Sequence, residues 1–550
     1  MRWVLVGLIG GTIGCVSGAA FGADPEPWSD PDPRADQART EFGDYGLKLG
    51  AEYRAIALYM NPIDLSGVKS RRASWVEHRA RLDSSIDYKE KVRFVLSMDA
   101  LEGTLWGDNG TFGGNPSTIT GSTVAAGNPN NARVGVGFRG GEDQLDADNY
   151  GYVLLPNDSL LIRHAYGEAA LPVGLLRVGR QPTSDGLSPL VNSGRSLGNR
   201  FGYANRGDYI DRVLFATKPL EGFKKKDERD VSRDRGMFFI AFYDRPVTNQ
   251  PHLFADDLQG IGTVVRYLAP EPTKRQSFQV QGNYSYRWNR QYDTNINIFG
   301  LRSVFNVDKF TIGAEGNWIT GRTREVSEAL ALINSDPIIR QRVNQWGGRG
   351  VVRWDEPDWA AYLEIDYASG DRDPNPGSDL TQFVFSEDTN VGLLMFERVL
   401  AFESARSAAA GVELLKRLGA TTFPSERTDT EGSFTNAIAV FPQFDYKPKD
   451  NLLLRGGVLA AWAPGGLVDP ITSLRFRDGV EIEDDLVNYH GGPPGKFYGV
   501  ELDGRFQWRY EEHFYFDLEG AILFPGDAFE DENGQAARSV LVQGRTTFLF

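Results

Sequence analysis

Cysteine is almost absent: Cys15 is the single one in 550 residues. It lies in an N-terminal segment expected to be removed, so the mature chain is left without a disulfide framework, a thiolate nucleophile or a cysteine metal site. Histidine is scarce too. His78, His164, His252, His490 and His513 are scattered with no metal-ligand spacing, and no nucleophile-elbow motif occurs. The run Asp371-Arg372-Asp373-Pro374-Asn375 resembles the start of a calcium loop but lacks the bidentate Glu that would complete it. Neither catalysis nor a bound metal or cofactor is expected. Past the N-terminus no stretch approaches the roughly 18 apolar residues of a membrane helix. A net charge of -15 argues against a nucleic-acid partner.

What the N-terminus does have is an ordered series of signals. Arg2 precedes an apolar run over 3–15, then the small residues Ser17-Gly18-Ala19-Ala20 and Gly22-Ala23, then Asp24-Pro25-Glu26-Pro27. This reads as a secretory signal peptide over 1–23. A short periplasmic segment, 24–43, would follow it, and 44–550 would form one domain.

That domain carries a period-two pattern despite a mean hydropathy of -0.36. Over 498–510, Val500, Leu502, Gly504, Phe506, Trp508 and Tyr510 take one face, and Glu501, Asp503, Arg505, Gln507 and Arg509 the other. Alternation alone suits a soluble sandwich equally well. The connections decide: tight turns at 88–90, 172–174, 447–450 and 511–513 alternate with long loops, as in outer-membrane barrels. The fold class read from this is all-β, a transmembrane antiparallel barrel of about 18 strands, with 16 as the alternative. The last strand would end on outward-facing Phe550 and pair with the first, near 46–59. Trp288, Trp318, Trp354, Trp359, Trp462, Trp508 and Tyr510 lie near strand ends and read as interfacial girdles. The expected location is the bacterial outer membrane, with its lipid and its barrel-assembly machinery as partners.

Two connections are long. The stretch 103–159 is rich in Gly, Asn, Thr and Asp and reads as an extracellular loop. The loop 372–434 differs, because Val399, Leu400, Phe402, Val412, Leu414, Leu415 and Leu418 recur at helical spacing within 390–418. Loops this long are uncommon unless functional; this one is expected to fold into the mouth as a gate or constriction, or else to lie over the rim. The segment 218–235, with Lys224-Lys225-Lys226, falls on the periplasmic side and reads as a solvated charged turn.

Strand parity gives the pore-lining set: Arg79, Arg81, Arg93, Arg163, Arg177, Arg212, Arg302, Arg353, Arg455, Arg505, Arg509 and Arg545, together with Glu364 and Asp366. Rings of guanidinium groups can select anions. Glu77, Asp83, Asp99, Glu315, Glu501, Asp503, Asp517 and Glu519 share that face, so pairing across strands is the competing reading.

Three motifs resemble a known family. Leu175-Leu176-Arg177-Val178-Gly179-Arg180-Gln181, Asp208-Tyr209-Ile210-Asp211-Arg212-Val213 and Glu364-Ile365-Asp366-Tyr367-Ala368-Ser369-Gly370-Asp371 are similar to strands of the alginate export family of outer-membrane barrels. The resemblance implies an 18-stranded barrel passing an anionic polysaccharide, with Arg177, Arg180 and Arg212 in the pore. Arg177 and Arg180 have opposite parity, so both reach the lumen only across a bulge. The resulting expectation is a non-enzymatic channel for a polar, anionic saccharide or solute. A substrate-specific uptake porin and a non-conducting structural or adhesive barrel are the alternatives.

Overall fold

The computed structural model describes residues 39–550 apart from 66–71, 108–159, 184–185, 195–198, 205–206, 233–234, 247–257, 271–275, 421–429, 476–485, 487–493 and single loop positions. The expected signal peptide and nearly all of the 103–159 loop fall outside the described residues.

A short strand β1 (Thr40–Phe42) precedes β2 (Tyr45–Asn61), β3 (Ala73–Tyr88), β4 (Val92–Gly107), β5 (Leu160–Leu171), β6 (Gly174–Pro182) and β7 (Tyr209–Thr217). Then come β8 (Gly236–Pro246), β9 (Gln259–Pro270), β10 (Gln276–Asn289), β11 (Thr294–Val307), β12 (Phe310–Thr323) and β13 (Gln341–Asp355). The ring is completed by β14 (Trp359–Ala368), β15 (Ala437–Lys449), β16 (Leu452–Trp462), β17 (Phe497–Tyr510), β18 (Phe514–Pro525) and β19 (Ser539–Leu549). Each of β2–β19 pairs antiparallel with its sequence neighbours, and β19 closes on β2, so the barrel has 18 strands. Closure leaves no edge, which is the only way a sheet can span lipid. Phe550 extends the seam: its N–H donates to Ala51 O and its carbonyl accepts from Ala51 N, both at 2.9 Å. Strand β4 runs on to Gly107, so the loop expected from 103 begins several residues later.

The short-turn rim follows from residues that tolerate positive φ. Lys89 (50°) and Glu90 (55°) turn β3 into β4, Asp308 (54°) turns β11 into β12, and Glu511 (51°) turns β17 into β18. Apart from the 18-residue connection between β7 and β8, the long connections leave from the opposite rim. By the usual asymmetry these rims are periplasmic and extracellular.

Outward faces carry an apolar band between two aromatic rows. On the extracellular side Tyr284, Phe299, Trp318 and Trp346 stack in succession, with ring centroids 5.2, 5.3 and 5.1 Å apart. On the periplasmic side Phe310, Trp354, Trp359 and Phe444 do the same at 5.3, 5.8 and 5.7 Å. Eight residues of β12 separate Phe310 from Trp318, and at about 3.3 Å each, tilted about 40°, they span roughly 20 Å. With the rings added, that matches the thickness of an outer-membrane hydrocarbon band. Leu301, Ile312 and Ile365 lie between the rows, outward and exposed.

The lumen is polar in its lower part, but its extracellular half is not. Inward-facing Leu58, Met60, Ile296, Ile298, Ala461 and Leu523 are buried in one apolar cluster with Phe383, Phe385, Phe396 and Phe402 of the connection between β14 and β15. A globular core therefore sits inside the barrel mouth. It includes α1 (Glu325–Asn334), α2 (Ala401–Leu418) and α3 (Pro470–Arg475), which pack on one another. The helix expected over 390–418 begins at Met395 as a π-helical turn, Met395–Leu400, and continues as α2.

Candidate functional site

The site is built by the described residues of two connections that fold into the lumen, 183–208 after β6 and 369–436 after β14. Strand arginines meet the first of them. Arg54, Arg81, Arg163, Arg349, Arg455, Arg505 and Arg545 each point a guanidinium nitrogen at one of its backbone carbonyls. The acceptors are Ala204 (2.9 Å), Gly194 (3.4 Å), Ser193 (3.1 Å), Leu187 (3.4 Å), Arg200 (from both Arg455 and Arg505) and Gly202 (2.9 Å). These donors come from β2, β3, β5, β13, β16, β17 and β19, so the loop is tied to much of the barrel circumference.

Most of the same arginines hold a carboxylate on the neighbouring strand. Arg81 binds Asp99 (2.6 Å), Arg349 binds Asp366 (2.6 Å) and Glu364 (3.3 Å), and Arg455 binds Asp445 (2.7 Å). Arg505 and Arg545 share Asp517 at 2.8 and 3.0 Å. A guanidinium has five donors in a fixed fork, so it can satisfy a carboxylate and still donate once to the loop. Removing either partner of such a buried pair strands the other, at about 3–5 kcal/mol. Cross-strand pairing therefore describes this wall better than a ring of open cations.

The loop returns the arrangement. Arg200 donates to Gln443 and Asp445, both at 2.6 Å, and its guanidinium lies 4.1 Å from the Tyr362 ring centre. Burial, with Arg455 beside it, lowers the Arg200 pKa. Leu187 N donates to Glu315 at 2.8 Å and Gly202 N to Glu519 at 3.0 Å. Gly202 sits at φ 71°, a conformation that costs glycine little and other residues more. The Tyr203 hydroxyl donates to Glu77, and burial raises its pKa far above the usual range, with the Glu77 charge adding to the effect.

The second connection locks onto the first and onto β17. Asn192 and Asn199 donate to Asp388 O at 2.9 and 2.6 Å, and Ser386 donates to Asp208 at 2.7 Å. At the start of the π-helical turn, the backbone N–H groups of Leu393, Leu394 and Met395 donate to the Glu501 carboxylate at 2.7, 2.9 and 2.6 Å. A carboxylate at the exposed amides of a helix start is the favourable placement. Phe396 packs edge-on to Phe434 and Tyr498. The helix is lodged in the mouth rather than laid over the rim.

Of the residues read as pore-lining, Arg79, Arg81, Arg163, Arg177, Arg302, Arg455, Arg505, Arg545, Glu364 and Asp366 are buried on the inner face. Arg93 and Arg177 share Glu168 at 3.3 and 2.7 Å, and Arg212 binds Asp244 at 2.6 Å. Arg353 and Arg509 face inward near the periplasmic mouth, beside Asp355 and Asp450. Arg180 is the correction. No register shift occurs along β6, so Arg180 faces outward and pairs there with Asp211 at 2.9 Å. The one bulge nearby falls in β5, between Arg163 and His164, and turns both of them inward.

Arg349, Arg54, Arg266 and Arg287 were absent from the sequence reading. Arg349 has the parity of Arg353 and could have been found. Arg266 and Arg287 alternate correctly on β9 and β10, where the apolar pattern is weak. Arg200 had no such signal, being on a loop. Arg266 and Arg287 line the less crowded wall. Inward-facing Gln279, Gln281, Asn283 and Ser285 of β10 keep partial exposure, whereas inward Glu501, Asp517 and Glu519 are sealed. On that wall the Arg266 and Arg302 guanidinium groups converge on the side-chain amide of Gln279, and Arg287 Nη1 is buried with no hydrogen-bond partner among the described residues. Asp371, Asp373 and Asn375 cap backbone N–H groups within their own turn.

No family model matches the chain, and no curated protein matches it. Among solved structures, OccK2 (OpdF) of Pseudomonas aeruginosa is similar at 10% identity and TM-score 0.45, over 92% of this chain and 97% of that one. The outer membrane protein opdK of the same organism is similar at 10% identity and TM-score 0.43, over 92% and 98%. A BenF-like porin from Pseudomonas fluorescens Pf-5 is similar at 11% identity and TM-score 0.46, over 92% and 98%. The closed ring of strands and the apolar band between two aromatic rows make this chain a bacterial outer-membrane β-barrel.

Proposed function

We propose that the chain is a substrate-selective uptake channel for small polar anions. The observation that carries this is the inner loop 183–208, held across the lumen by seven strand arginines. A lumen so crossed suits a small solute better than the exported polysaccharide that the family resemblance implies. The anion preference rests on the remaining wall, where Arg212, Arg266, Arg287 and Arg302 face inward on β7, β9, β10 and β11 against two acids, Asp244 on β8 and Glu315 on β12. In a narrow low-dielectric passage such an excess of cations favours anions and carboxylate binding.

Planar-bilayer recording tests both parts. Reversal potentials in a salt gradient are expected to favour chloride over potassium, and small mono- and dicarboxylates are expected to reduce the current in a saturable way. Cation preference would reject the anion reading. A complete lack of conductance would leave a structural barrel as the better account.

A further inference from the structure

The outer surface has one feature that a conducting lumen does not require. Between β9 and β14, at the level of the extracellular aromatic row, lies a groove of about 930 Å³. Its floor is glycine on the outward face, Gly282, Gly316 and Gly348, and its walls are Tyr284, Phe299, Leu301, Trp318 and Trp346. None of the lining residues is charged. A Cβ built on Gly282 or Gly316 would meet nothing within 4 Å, so these glycines are not demanded by the packing of the barrel itself. The polar atoms at the upper edge are already satisfied: Trp318 Nε1 donates to Asn344 at 3.0 Å, and the Tyr284 hydroxyl to Asn297 at 2.9 Å. The groove is therefore mainly apolar and placed in the outer-leaflet half of the hydrocarbon band.

A second observation lies directly above it. Arg322 of β12 and Arg342 of β13 are opposite each other in register, both outward and exposed. They stand four residues above Trp318 and Trp346 on the same face, which is about 10 Å along the barrel axis. Like charges directly opposite on a sheet are destabilising. Only Arg342 has an acid near it, Asp379 at 4.0 Å; among the described residues no carboxylate pairs with Arg322. Side chains of this length can lean toward the headgroup level, where an anion between the two guanidinium groups would offset their repulsion.

We infer that this face binds a phosphorylated, multiply acylated glycolipid of the outer leaflet, with one acyl chain on the glycine floor and a phosphate between Arg322 and Arg342. Groove and cation pair are spaced as the tail and headgroup of one lipid are. The inference does not depend on what passes through the lumen.

The test is to purify the full barrel in mild detergent from membranes containing lipopolysaccharide and to measure bound lipid by native mass spectrometry and phosphate assay. The parent chain is expected to retain glycolipid. The double variant Arg322→Ala, Arg342→Ala is expected to weaken retention on the order of 30-fold, from the usual contribution of two basic residues near a lipid phosphate. Gly316→Leu, which fills the floor while keeping both arginines, should weaken it by at least about tenfold through the lost acyl contact. Val542→Leu, outward on the far side of the barrel, should leave it unchanged. Heat-modifiable migration on gels confirms that each variant is folded. Equal retention in the parent and both groove variants would overturn the inference, as would phospholipid retained in place of glycolipid. A parent dimer converted to monomer by Gly316→Leu would show the occupant to be a second copy of this chain instead.

Discussion

Glu501 offers the sharpest test of how the mouth is held. Its carboxylate is fully buried and accepts three backbone N–H groups, from Leu393, Leu394 and Met395, at 2.6 to 2.9 Å. Hydrogen bonds to a charged acceptor contribute about 1.5–3 kcal/mol each, and buried donors left unmade cost a comparable amount. The three act as one unit and water in the lumen can replace part of the loss, so Glu501→Ala is expected to destabilise docking of the 369–436 connection by about 3 kcal/mol. That moves the ratio of docked to undocked connection on the order of a hundredfold. Single-channel recording should then show a larger or flickering conductance, and limited proteolysis should cut the connection where the parent resists. Glu501→Gln keeps the shape but turns an N–H toward the three donors, and should give an intermediate result. A Glu501→Ala channel with the parent's conductance, noise and protease resistance would refute the idea that this carboxylate latches the mouth.

Other expectations follow from the same geometry. Arg266→Gln with Arg287→Gln removes two cations from the less crowded wall and should shift the reversal potential toward cations, with little change in thermal stability. Arg455→Ala with Arg505→Ala removes both donors to the Arg200 carbonyl and leaves Asp445 and Asp517 with one guanidinium each, Arg200 and Arg545; heat-modifiable migration should report a loss of several kcal/mol, and the conductance should become heterogeneous. Arg180→Ala, by contrast, breaks an exposed outer pair and should change stability by less than about 1 kcal/mol and selectivity not at all. A selectivity change there would place Arg180 in the pore after all.

The sequence was enough for the barrel because lipid imposes a rule at every strand residue. Outward positions within the hydrocarbon band must be apolar, each backbone group must pair, and the ring must close. Val500, Leu502 and Phe506 alternating with Glu501, Asp503 and Arg505 satisfied that rule in one dimension, so fold, strand number, seam and girdles were all legible. The inner faces obey no such local rule. Leu58 and Met60 are apolar inside a barrel because a helix from more than 300 residues away fills the mouth above them. Arg81 and Arg505 read correctly as inward, but whether they face a solute, an acid or a carbonyl depended on where 183–208 came to rest. Arg180 shows the converse, since a family motif suggested the pore while an unbroken register turned it to the outside. Periodicity, a local property, decided the wall of this protein. The contents of its lumen were decided by two loops whose partners lie across the ring, and only the tertiary structure brings those together.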